Sequence, residues 1–319
     1  MKKTIFLLLF ILFSLQSYTQ SINEKIVEAL DDVSNNRFEL AIAKFDTLIA
    51  EYPNAIGLYI LKGEAYSKLV NRYTVDTSSY NNAMLCFNKA LELDSTSFEA
   101  HRSIGVLNIF HQRFKIALNS FSKAIEYSPT KEDLFNSITD RGAALLYLKE
   151  YDKAIKDYER ALEIAPNTAS VYSNLAIIYK RKSDLEKARE YCDKGLKIEP
   201  DNENLLNNLG LINIDEKKYL EADQLFSKIL SRNPANPVAL SNRGFAKTKL
   251  GDFPNALEDL NKSIKLYPEN SYAFKNRAIL FIETENIEKA CQDLNTAHRL
   301  GYSAMYGSEV DQLLKDNCK

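Results

Sequence analysis

Histidine is nearly missing from this chain. The three that occur in 319 residues, His101, His111 and His298, include no pair spaced as ligands on one helix face. A metal centre built on imidazole pairs is therefore not expected. Glycine is sparse too, and its ten residues form neither a phosphate-cradling loop nor a nucleophile elbow. Carboxylates are plentiful, but residues such as Glu159 and Glu163 fall on solvated helical faces. No catalytic residue, cofactor or metal ligand is expected, and the chain reads as non-enzymatic. Excess charge of either sign is absent: 41 basic and 43 acidic residues leave a formal net charge of -2. That balance removes the electrostatic case for binding nucleic acid. The longest apolar run, Ile5 to Leu15, is 11 residues, short of the ~20 that span a bilayer, so no transmembrane segment is expected. The glycines and eight prolines fall mostly in short turns and leave no flexible linker.

What is present is a period. Ala41, Ala83, Ala117, Ala154, Ala188, Ala222, Ala256 and Ala290 recur, with steps of 34 residues from Ala154 onward. Pro53, Pro129, Pro166, Pro200, Pro234 and Pro268 each follow one of these alanines by 12 residues. Fixed-period self-similarity marks a stack of small units that bury their apolar faces on one another. Within one unit, Asp140–Leu148 reads as a helix, Lys149–Asp152 as a turn and Lys153–Glu163 as a second helix. In that second helix Ala154, Ile155, Tyr158, Ala161 and Leu162 make an amphipathic stripe, and Pro166 ends it.

Small residues recur at one position, Gly63, Gly105, Gly142, Ala176, Gly210, Gly244 and Ala278. Large ones recur at another, Phe45, Phe87, Phe121, Tyr158, Phe226, Leu260 and Leu294, with Cys192 the exception. This pattern resembles the tetratricopeptide repeat family, whose 34-residue unit combines these small, aromatic and proline positions. Eight repeats begin near Ile22, Ile56, Phe98, Phe135, Ala169, Glu203, Pro237 and Ser271. The resemblance implies an all-α, right-handed superhelical solenoid over 21–304, closed by a C-terminal capping helix over 305–319. Two insertions break the register. Eight extra residues are placed in an enlarged loop over 71–80, and three more fall around Thr130–Asp133. Residues 1–20, with Lys2 and Lys3 before the apolar run and small polar residues after it, read as a secretory signal peptide. An exported protein, periplasmic or secreted, is expected. With no cysteine before Cys86, a lipid anchor at the cleavage point is not.

In the family, the first helix of each repeat lines the concave surface. Its sixth position holds Asn174, Asn208, Asn242 and Asn276 in the last four repeats. Two readings stand: amides that pair with the backbone of an extended peptide, or a residue that is simply common at that position. The ninth position holds Ile177, Leu211, Phe245 and Ile279, which either line the groove or are covered by neighbouring helices. The resemblance implies a scaffold that binds a protein or peptide partner in this groove. The alternative is an assembly subunit of an envelope complex using its convex face, or Tyr73 and Tyr80 in the repeat 2 loop. A clamp for acidic tails is not expected, because Lys275 is the one basic residue at the fifth position of those repeats and Ser170, Asn204, Val238 and Tyr272 at the second are uncharged.

Cysteine is scarce as well. Cys192 reads as a buried thiol in an aromatic position, and Cys86 has no evident partner. Cys291 lies ten residues before Gly301, and Cys318 ten residues after Ser308. If Ser308 and Asp311 cap a final helix, both legs of the hairpin are about 15 Å long and the sulfurs meet. A disulfide between Cys291 and Cys318 is expected; the alternative is two free thiols.

Overall fold

The computed structural model describes residues 20–69 and 77–318, and the expected signal peptide lies almost wholly outside them. The described residues are all helix and turn. Helices pair in chain order: α1 (Gln20–Ser34) with α2 (Phe38–Glu51), α3 (Ile56–Leu69) with α4 (Thr77–Leu93), α5 (Phe98–Phe110) with α6 (Phe114–Glu126), and α7 (Lys131–Tyr147) with α8 (Tyr151–Ile164). These pairs make up one compact unit, residues 1–165. A second unit, residues 166–319, holds α9 (Ala169–Arg181) with α10 (Leu185–Ile198), α11 (Glu203–Asp215) with α12 (Tyr219–Arg232), α13 (Pro237–Lys249) with α14 (Phe253–Leu266), and α15 (Ser271–Glu283) with α16 (Ile287–Arg299). It ends in α17 (Tyr302–Tyr306) and α18 (Glu309–Asn317).

Among the described residues, seven of the hairpins close where the sequence puts polar residues or glycine. Asn36, Gln112, Lys149, Ser183, Lys217 and Glu285 take φ near +60°, with Gly251 doing the same in the seventh repeat. The next amide then reaches back five residues, as from Lys218 N to Asn213 O at 2.8 Å, which ends the first helix of the pair. Entry into the third, fourth, sixth, seventh and eighth repeats is capped by a side chain, whereas Thr168 at the fifth makes no such cap. Asn202 accepts from Leu205 N at 3.1 Å, and Asn236 from Ala239 N at 3.0 Å.

The two helices of a pair touch through a size match. A Cβ added to Gly105 would lie 2.5 Å from the Phe121 ring, and one added to Gly210 would lie 2.6 Å from Phe226. Where alanine stands instead, as at Ala176, the facing residue shrinks to Cys192, and both are buried. Cys192 is thus the complement of Ala176, not a degraded aromatic position. Burial in this apolar contact pushes its thiol up to about 12.

Three sequence expectations are corrected. Residues 77–80 of the expected loop form the first turn of α4, while 71–76 lie outside the described residues. The insertion at Thr130–Asp133 is no loop: it lengthens α7 at its N-terminus, where Thr130 accepts from Asp133 N at 3.1 Å. A good cap and two acidic residues in the first turn favour helix there over loop. At the C-terminus, Ser308 makes no side-chain cap, because its φ of -80° and ψ of 12° are nearly helical already. Asp311 instead accepts from Ser303 Oγ at 2.8 Å and faces His298 Nδ1 at 2.9 Å. Cys291 and Cys318 are joined, with Cα atoms 5.6 Å apart, beside the buried Tyr302 and Val310.

Candidate functional site

The asparagine row belongs to the second unit, and three of its four members are spent on stacking. Asn208 Nδ2 donates to Ser173 Oγ at 3.0 Å and to Ser173 O at 3.3 Å. Asn276 Nδ2 donates to Ser241 Oγ at 3.0 Å and Ser241 O at 3.2 Å, and Asn242 Nδ2 donates to Asn207 Oδ1 at 2.8 Å. Each bond crosses 35 residues, from the sixth position of one first helix to the fifth position of the one before. Asn208, Asn242 and Asn276 are buried, and Asn174 is half-buried. At Asn208, Asn242 and Asn276 the amide nitrogen holds two repeats in register. The sequence showed the row, but the serines and Asn207 that receive it were overlooked. Their matching 34-residue spacing was the available signal.

The ninth-position row fares differently. Ile177, Leu211 and Phe245 are half-buried, whereas Ile279 is 9% exposed and belongs to the core. Along one side run Lys180 with Asp215 at 2.8 Å, and Lys249 paired with Glu283. At the far end Lys275 is 4% exposed, its ammonium 3.5 Å from Glu309 of α18 and within 5.1 Å of the Phe245 ring centre and 4.7 Å of Tyr272's. Burial among these rings holds its pKa below the ordinary lysine value, partly opposed by Glu309. The cations beside the row thus already have anionic partners within the chain. What they leave between them is an apolar strip.

In the first unit one junction is charged at these positions, whereas the two before it place Ile26 with Leu61 and Ile60 with Ser103 there. Arg102 Nε donates to Asp140 at 3.0 Å, from a fifth position to a sixth, and Ser103 Oγ donates to Glu64 at 3.1 Å. Tyr80, expected in a docking loop, is buried. Its hydroxyl donates to Asn108 Oδ1 at 3.1 Å, while the Arg113 guanidinium lies 4.2 Å from its ring centre. It is a packing residue of repeat 2, and Tyr73 lies outside the described residues.

A second polar device also escaped the sequence reading. Arg141 grips Asp157 through two bonds of 2.8 and 2.6 Å, Arg243 grips Asp259 at 2.8 and 2.7 Å, and Arg277 grips Asp293 at 2.7 and 2.8 Å. The spacing is 16 residues each time, and each clasp joins the two helices of one pair. In the fifth and sixth repeats the same positions hold Leu175 with Tyr191 and Leu209 with Leu225. Among the described residues no group of three or more His, Cys, Asp or Glu is arranged to hold a metal ion.

Comparison with known proteins agrees with this geometry. Models of the tetratricopeptide repeat match residues 133–199, 203–236 and 237–270. Two of these ranges begin at the first residue of α11 and of α13. Anaphase-promoting complex subunit 3 of Schizosaccharomyces pombe is 25% identical over 193 residues, 57% of this chain and 28% of that protein. A TPR repeat-containing protein of Methanocaldococcus jannaschii is 29% identical over 133 residues, 40% of this chain and 22% of its own length. The chain therefore matches only about a quarter of these relatives. A tetratricopeptide repeat protein structure from Parabacteroides merdae superposes with a TM-score of 0.66 at 17% identity, covering 83% of this chain and 99% of that one. The Cut9–Hcn1 hetero-tetramer structure gives 0.65 at 17% identity, covering 93% and 56%. At such identity these two structures speak to the fold alone. Period, helix pairing and family match coincide: the chain is a tetratricopeptide repeat protein.

Proposed function

We propose that this protein is a non-enzymatic interaction scaffold of the cell envelope, and that it holds a peptide or protein partner on the first-helix face of its second unit. One observation carries the reading: Ile177, Leu211 and Phe245 stay half-buried in consecutive repeats while the charges beside them are paired within the chain. An apolar strip that the fold neither covers nor neutralises is a surface for a partner. Export is supported by the Lys2–Gln20 pattern and by the Cys291–Cys318 bond, which suits an oxidising compartment. The test is photocross-linking from residues placed at Leu211 and Phe245, with a control position at the exposed Leu85 of α4. Cross-links to one partner from the first two positions, absent from the third, are expected. Equal labelling from all three would move the binding surface elsewhere.

A further inference from the structure

We infer that the partner segment docks on the second unit as an amphipathic α-helix with apolar residues about seven apart, and not as an extended chain; this rests on the groove reading above. The argument begins with donors. A chain laid out in an extended form exposes every backbone N–H and C=O, and a wall that receives it must pair them or leave water with them. Three of the four amide nitrogens placed to do so are committed, Asn208 to Ser173, Asn242 to Asn207 and Asn276 to Ser241, and all three residues are buried, so Asn174 at the near end is the one amide left half-buried. Lys180, Lys249 and Lys275 are likewise engaged with Asp215, Glu283 and Glu309. A helix asks for none of these groups, because its backbone bonds are internal.

Spacing points the same way. Ile177, Leu211 and Phe245 sit at matched positions of first helices that are tied directly to one another by the asparagine bonds. Helices packed side by side stand about 8–10 Å apart. A docked helix returns the same face every seven residues, about 10.5 Å along its axis. A strand returns the same face every two residues, about 6.6 Å, which fits neither one interval nor two apolar residues per interval without burying backbone. The paired lysines and carboxylates along the strip add no net charge, so the helix needs polar flanks of either sign and no particular charge at its anchors.

Selection by display against the full chain tests this. One peptide library varies the apolar positions on a helix-forming scaffold about three heptads long; the other is a random linear library. The expected result is enrichment from the helical library, helicity gained on binding by circular dichroism, and affinity lowered about tenfold or more by Leu211→Lys. Ile177→Lys provides a second reading should Leu211→Lys melt early. Enriched peptides that lose binding to these variants but gain no helicity overturn the helical inference and leave the groove standing. Peptides indifferent to both variants, or no enrichment from either library, overturn the groove reading together with the inference.

Discussion

The two units answer one stacking problem with different chemistry. Between successive first helices, the first unit places an ion pair, Arg102 with Asp140, where the second places neutral amide bonds, Asn208 with Ser173 and Asn276 with Ser241. The charged version stays partly exposed, with side-chain exposures of 36% and 30%, so solvent and salt screen it. The neutral version is buried, which only an uncharged pair does cheaply. The difference has a functional side. A buried neutral connection leaves the neighbouring apolar row free of stray charge, and a charged one does not. On the scaffold reading proposed above, the polar row that resembles a binding site holds the helices together, and the apolar row beside it is the surface offered to a partner.

The strongest way to separate the units is at the C-terminus, because only the second unit carries a cystine. Opening a loop with a sequence separation of 27 costs about 3–4 kcal/mol on the chain-entropy account. Cys318→Ser is expected to destabilise α16 and α18 by that order and to leave α3–α6 unchanged. Hydrogen exchange resolved by peptide measures both at once. Uniform loss of protection in the two units would mean that they unfold together.

A pair of substitutions then compares the connections themselves. Asn276→Ala strands the buried Ser241 hydroxyl and is expected to cost about 1–3 kcal/mol. Arg102→Ala removes a half-exposed pair and is expected to cost about 0–1 kcal/mol. Added salt is expected to shrink the second effect and not the first. Thermal melting in low and high salt decides. Equal losses, equally indifferent to salt, would erase the distinction between the units.

A smaller effect tests packing in the first unit alone. Tyr158 occupies the position that holds Phe45, Phe87 and Phe121 in earlier repeats, and its hydroxyl is buried without a hydrogen-bond partner. Burial pushes its phenol far above the ordinary tyrosine value. Tyr158→Phe keeps the ring against Gly142 and deletes the unpaired group, so a gain of about 1 kcal/mol is expected. Phe226→Tyr in the second unit is expected to lose a similar amount. Melting midpoints that move the other way would show that the Tyr158 hydroxyl is satisfied.

Much of this architecture was legible before the fold. Ala154 and its relatives mark where helices cross, Gly105 and Phe121 mark a size match, and both depend on shape repeated along the chain. The Asn–Ser bonds were harder to read, because periodicity shows that a residue recurs and not which way its side chain turns. Asn208 on a helix surface and Asn208 between two helices have the same spacing. Only the partner 35 residues earlier tells them apart. The Arg–Asp clasp joins Arg141 to Asp157, Arg243 to Asp259 and Arg277 to Asp293 but is missing from the fifth and sixth repeats between them, so no consensus announced it. The β-branched and polar residues before Tyr80 favour a loop, but tertiary contacts with Asn108 and Arg113 outweigh that local preference.

The smallest effect expected is the pH dependence that Glu64 contributes in the first unit. Glu64 accepts from Ser103 Oγ at 3.1 Å, and burial pushes its carboxyl above the ordinary glutamate value, only partly opposed by that bond, Lys68 and Arg102. Asp140 shifts the same way for the same leading reason. A carboxyl whose native pKa is raised binds its proton more tightly in the folded state than in the unfolded one. Its contribution therefore weakens the fold as pH rises from the ordinary glutamate value through the raised native one, and stays at its worst above that. Glu64→Gln keeps an acceptor for Ser103 and carries no charge to desolvate. The variant is expected to melt higher than the natural protein at neutral pH. The gap should close as the pH falls below the ordinary glutamate range, where the natural side chain is neutral in both states. Melting curves for the two proteins across that range test the sign. A gap that widens in acid would mean that the Glu64 carboxylate is stabilised by Arg102 and Lys68 more than burial opposes it, and the charged face of the first unit would then be a source of stability.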